Sequence, residues 1–108
     1  MEVRTEERAV VFAVGGELDL ASSPTLEQEL ERVRDADVDL LIVDLRELRF
    51  MDSTGLHALV KANKRATEAG RRFAVVKGGA QIHRLLSLTG VGELLIVADS
   101  PEELLRAG

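Results

Sequence analysis

A carboxylate, two hydroxyls and an imidazole stand close together in Phe50-Met51-Asp52-Ser53-Thr54-Gly55-Leu56-His57, a set that suggests either a nucleophile or an acceptor of a transferred group. Nucleophilic catalysis needs a base within hydrogen-bond reach of the hydroxyl. His57 comes four residues after Ser53 on the same expected helix and points poorly at its hydroxyl, and the Gly-x-Ser-x-Gly elbow is missing. No catalytic residue is expected, and the chain is not read as an enzyme. Two readings of Ser53 remain open. As a helix cap, its hydroxyl accepts a backbone N–H of the first turn, worth about 1 kcal/mol. As a phosphate acceptor, it holds a dianion against the free N–H groups and positive end of a helix, which tolerate the charge without unfolding. Asp52 adds a like charge, so the modified surface would be strongly negative and would repel a partner that accepts the unmodified one.

The other residues of interest carry less. Glu17-Leu18-Asp19 ends an early segment and, like Asp52-Ser53-Thr54, is expected at the carboxyl ends of strands, where ligands gather in an open α/β sheet. The two segments are expected to lie close together. His57, Lys61 and Lys64 recur at helical spacing, which describes either a solvated face or a partner surface. His57 and His83 lack a third ligand, so no metal site is expected. Gly15-Gly16 and Gly78-Gly79 lack the spacing of a phosphate loop and read as turns; no cofactor is expected.

These residues need elements to hold them. Val3 among polar neighbours and the run 9–14 predict two strands joined by a tight turn, an antiparallel hairpin. Ser23 followed by Pro24 predicts the cap and first position of a helix that turns Leu26, Leu30 and Val33 inward. The apolar run 40–45 predicts a central strand covered on both faces. A second helix follows Asp52-Ser53-Thr54-Gly55, directs Leu56, Leu59, Val60 and Ala66 inward and ends near Gly70. Phe73-Ala74-Val75-Val76 predicts a strand, and Ile82, Leu85, Leu86 and Thr89 one face of a third helix closed by Gly90. Leu94-Leu95-Ile96-Val97 reads as a last strand. Ser100 and Glu103, around Pro101, have the spacing of a capping box before a short helix with Leu104 and Leu105. Strands alternating with helices predict an α/β fold with a mainly parallel, mixed β-sheet, an N-terminal antiparallel hairpin and about four helices.

Bulk properties narrow the function. At 108 residues and 45% apolar, the chain fits one domain, 1–108. A net charge of -5 offers no basic stripe for nucleic acid. Three Phe without Tyr or Trp leave no stacking platform for single-stranded bases or sugars. The opening residues lack the basic cluster and apolar run of a secretory signal, and Leu40-Leu41-Ile42-Val43, between Asp39 and Asp44, is too short to cross a bilayer. A cytoplasmic protein with no membrane insertion is expected.

The segments Gly16-Glu17-Leu18-Asp19, Val43-Asp44-Leu45 and Phe50-Met51-Asp52-Ser53-Thr54-Gly55-Leu56, in that order and spacing, resemble the STAS domain of bacterial anti-sigma factor antagonists. The resemblance covers nearly the whole chain, and its most specific part is Met51-Asp52-Ser53-Thr54-Gly55-Leu56. It implies a STAS-like fold and a protein whose unphosphorylated form binds an anti-sigma factor that is also a serine kinase, freeing a sigma factor for transcription. Phosphorylation at Ser53, with Thr54 the second choice, would end that binding, and a serine phosphatase acting transiently would restore it. The residues implied to meet the partner are Asp19, Asp52, Ser53, Thr54, Gly55, His57 and Lys61. The sequence departs from the family pattern at His57, where many relatives have a small residue, and at Leu20, where a polar one is common; both bear on partner choice. The alternative is a STAS accessory subunit of another complex, such as a lipid-transport ATPase, docking constitutively. A neighbouring kinase-type anti-sigma gene favours the first reading, a permease and ATPase the second.

Overall fold

The main sheet is built around three strands, Ala9–Ala13, Leu40–Asp44 and Arg72–Val76, whose residues are covered on both faces along nearly their whole length. A computed structural model describes residues 1–107. The strands β1 (Glu2–Glu6), β2 (Ala9–Ala13), β4 (Leu40–Asp44), β6 (Arg72–Val76) and β7 (Ile96–Ala98) lie side by side in that order. β1 and β2 are antiparallel across a turn with Glu7 at φ 54°; the other neighbours are parallel. The remaining elements are β3 (Gly16–Leu18), α1 (Ser23–Arg32), β5 (Leu48–Met51), α2 (Ser53–Glu68), α3 (Ala80–Thr89), α4 (Val91–Leu94) and α5 (Pro101–Ala107). The sequence reading of an α/β fold with a mixed sheet and an N-terminal hairpin holds, with five helices and β4 at the centre.

Register shows why β2 and β4 are apolar on both faces. Val10, Leu41 and Phe73 align across three strands, as do Phe12, Val43 and Val75, and these join Leu26, Leu59, Ala62, Ala66, Ile82, Leu86 and Val91 from the helices in one core. The intervening residues Ala9, Val11, Leu40, Ile42 and Val76 face the other way and pack against Leu104 and Leu105 of α5. Removing such apolar surface from water is the main stabilising term, about 25 cal/mol per Å². α5 starts with half of the expected box: the Glu103 amide donates to Ser100 Oγ at 3.3 Å, while Glu103 Oε2 accepts from the Asp99 amide, one residue before the cap, at 3.2 Å. The end of α1 is fastened by Arg71, whose guanidinium donates to the carbonyls of Val33, Arg34 and Ala36 at 3.0, 2.7 and 2.6 Å. β1, at one edge, is exposed along its whole length.

Two expectations need correction, and one strand pair was not anticipated. The last strand is β7, Ile96–Ala98, rather than 94–97. Gly90 adopts φ 77° and ends α3, after which Val91 turns into the core and starts the single-turn α4 through Leu94. β3 and β5, unpredicted, form a parallel two-stranded sheet of their own. α1 is not capped by Ser23, and Pro24 is its second residue, not its first. Ser22 is the cap residue, and Ser23 is already helical, its amide donating to the Asp19 carbonyl at 2.8 Å.

The Ser23 side chain is only 3% exposed, and its hydroxyl has no hydrogen-bond partner among the described residues. A buried hydroxyl without a partner costs free energy, and Ala is the better helix former. Ser23→Ala is therefore expected to raise stability by about 0.5–1 kcal/mol in urea unfolding. A loss of stability would show that the hydroxyl has a role this structure does not explain.

Candidate functional site

The short β3–β5 sheet brings the two segments together. Leu18 pairs with Met51, both side chains are buried, and the Asp52 amide donates to the Leu18 carbonyl at 3.3 Å. The loop 19–22 and the start of α2 thus leave neighbouring strand ends, as the sequence led one to expect. β5 is aimed by the turn before it. Asp44, 7% exposed at the end of β4, accepts from the Arg46 amide at 3.0 Å and from its guanidinium Nε and Nη2 at 3.0 and 2.8 Å. The sequence reading passed over this turn, for which an acid closing an apolar run, with Arg two residues later, was the available signal.

The start of α2 differs from the expected arrangement in one respect. Ser53 is not the cap; Asp52 is. Asp52 is extended, at φ −101° and ψ −173°, and its Oδ1 accepts from the Gly55 amide at 3.0 Å. Its carbonyl accepts from the Leu56 amide, also at 3.0 Å. Ser53 is consequently the first helical residue, exposed, with its hydroxyl not needed as a cap. First-turn amides have no intrahelical acceptor, so those of Ser53 and Thr54 belong to the positive end of α2, where Ser53 stands. Thr54 is half-buried.

Gly55 is buried for lack of space rather than for backbone freedom. A Cβ placed there would lie 2.1 Å from the Leu18 carbonyl oxygen and 2.9 Å from Met51 Cγ. The helix backbone rests directly on the end of β3. The role of Gly55 is thus to allow that close approach.

Asp19 and Ser22 knot the facing loop. Asp19 Oδ1 accepts from the amides of Ala21 and Ser22 at 3.1 and 3.0 Å. Ser22 Oγ accepts from the Asp19 amide at 2.9 Å and lies within reach of the Glu17 carbonyl at 2.8 Å and of Asp19 Oδ1 at 3.0 Å. Hydrogen bonds from the Ser22 amide, then from its hydroxyl, hold the Asp19 carboxyl below its ordinary pKa. Because the folded pKa is depressed, this knot is intact at neutral pH and is released only as the pH falls through the folded value, below 3.8. Ser22, which the sequence reading passed over, is the centre of the loop. An Asp-x-x-Ser spacing between a strand and a proline was its only signal.

His57, Lys61 and Lys64 run exposed along α2 away from Ser53. Lys61 lines a groove of about 500 Å³ between α1 and α2, with Leu30, Ala58, Ala62 and Arg65, and this groove does not include Ser53 or Asp19. Among the described residues no group of three or more His, Cys, Asp or Glu could hold a metal ion, and no helix is long and apolar enough to cross a membrane.

Residues 1–104 match the STAS domain family. The anti-sigma-B factor antagonist of Staphylococcus aureus is 30% identical over 102 residues, 94% of each chain. Among solved structures, an anti-sigma factor antagonist from Mycobacterium paratuberculosis superposes with a TM-score of 0.87 at 27% identity, covering 98% of this chain and 90% of that one. The anti-sigma factor antagonist SpoIIAA, a Bacillus cell fate determinant, matches at 18% identity in its unphosphorylated form (TM-score 0.75, 98% and 94% covered) and its phosphorylated form (0.76, 99% and 98%).

Proposed function

We propose, since this chain belongs to the STAS domain family and within it to the anti-sigma factor antagonists, that its unphosphorylated form binds an anti-sigma factor serine kinase, frees a sigma factor, and is switched off by phosphorylation of Ser53. Anti-sigma factor antagonists are regulatory proteins that interact with anti-sigma factors; the kinase and the switch are the parts proposed here. One observation carries them. Ser53 is an exposed first helical residue whose hydroxyl is spared from capping by Asp52, and it stands at the N-terminal end of α2, where the first amides have no intrahelical acceptor. A kinase can reach it, and the phosphate it receives changes the surface rather than the fold. The common fold of the two SpoIIAA forms supports that division. Asp19, Asp52, Thr54, Gly55, His57 and Lys61 complete the proposed contact region, with Thr54 the secondary acceptor. A serine phosphatase resets the switch, and the chain acts as ligand and substrate in the cytoplasm with no catalysis of its own.

The test is incubation with each purified anti-sigma factor of the host that carries a histidine-kinase-like ATPase domain, with ATP, followed by mass spectrometry. Phosphate is expected on Ser53, and none on a Ser53→Ala variant. An unmodified chain in every mixture would rule the switch out.

A further inference from the structure

The loop that Asp19 and Ser22 knot together holds out an apolar side chain. Leu20 lies between them and is 74% exposed. Phe50, opposite Glu17 on β5, is 50% exposed. Isolated apolar residues on a surface are ordinary. These two, however, flank the strand pair that leads to Ser53: Phe50 is on β5, Leu20 follows the buried Leu18 at the end of β3 by two residues, and Ser53 follows Met51, the partner of Leu18, by two. Leu88, Leu94 and Ile96, also exposed, belong to α3, α4 and the edge strand β7.

We propose that Leu20 and Phe50 are the apolar anchors that this chain inserts into an apolar pocket on its anti-sigma factor, and that Asp19 is a positioning residue that fixes the Leu20 loop. This rests on the functional reading above. Protein interfaces pair an apolar centre with a polar rim, and here Glu17, Arg49 and Asp52 supply the rim. A loop already ordered by hydrogen bonds loses little entropy on binding, so more of the burial of Leu20 is retained as affinity. The Asp19 carboxylate is spent on amides of its own loop. A phosphate on Ser53, two residues beyond Met51, would have to be stripped of water wherever the contact covers it, which opposes binding.

The experiment compares binding of the wild-type chain and five variants to the purified anti-sigma factor that phosphorylates it, by titration calorimetry, with a thermal melt of each. Leu20→Ser and Phe50→Ser are each expected to weaken binding by roughly tenfold or more. Leu20→Met is expected to retain it within about threefold, and neither Leu20 variant should change the melting temperature. Asp19→Asn keeps the Oδ1 acceptor and is expected to bind like wild type, whereas Asp19→Ala is expected to bind weakly. Wild-type affinity in Leu20→Ser would overturn the anchors while leaving the function standing. Equal losses in Asp19→Asn and Asp19→Ala would overturn the positioning role. A wild-type chain that binds no anti-sigma factor would bring down the functional reading and this inference together.

Discussion

Ser53→Asp is expected to bind the anti-sigma factor about a hundredfold more weakly than the wild-type chain, a difference of roughly 2.7 kcal/mol, while folding at least as well. The two effects have opposite signs for local reasons. Within the monomer, an acid at the first helical position faces unsatisfied amides and the positive end of α2, which contributes about 0.3–1 kcal/mol of stability. In the complex the same carboxylate stands next to Asp52 and must be desolvated beside a like charge, which costs several kcal/mol. Ser53→Ala removes the acceptor without adding charge and is expected to bind as wild type does. Calorimetric titration paired with thermal melts of both variants decides the matter. A Ser53→Asp chain that keeps wild-type affinity would sink the electrostatic switch.

Gly55→Ala is expected to lower stability by about 2–3 kcal/mol. In an ordinary helix this change stabilises, by up to about 1 kcal/mol. Here the added Cβ would lie 2.1 Å from the Leu18 carbonyl oxygen, a backbone atom that cannot swing aside as the end of a side chain would. Either α2 lifts from β3, or β3 moves and strains the Leu18–Met51 pair and the Asp52 amide hydrogen bond. For a domain of this size each kcal/mol lowers the melting temperature by several degrees, so a fall of roughly 10–20 °C is anticipated. Urea unfolding gives the free energy directly. A melting temperature equal to or above wild type would show that the contact yields cheaply.

Much of the fold was legible because most elements carry their own pattern. The 40–45 run, apolar but for Asp44, the i, i+4, i+7 spacing of Leu26, Leu30 and Val33, and Gly90 after α3 each specify an element without help from the rest. β3 and β5 do not. β3 has three residues, β5 is buried only at its ends, and each is a strand because the other lies beside it. The site was legible to the same degree. The meeting of the two segments follows from strands that end in helix-entry loops. The choice between Asp52 and Ser53 as cap could not be read, since both types cap well and the decision falls to the residue at which β5 releases the chain. The need for Gly at position 55 was equally hidden, because it comes from a carbonyl thirty-seven residues earlier.

The exposed edge strand β1 has one further consequence, for how copies of this chain meet. Its sequence, Glu2-Val3-Arg4-Thr5-Glu6, is palindromic in charge. A second copy adding antiparallel to this edge about Arg4 would set Glu2 against Glu6 and Arg4 against itself. In-register parallel addition would set each charge against its own kind. Like charges directly opposed across strands are destabilising, and charged edges are a common protection against fibril growth. The open edge therefore makes a poor template for its own kind, and a second copy adding along β1 would meet opposed like charges in either direction.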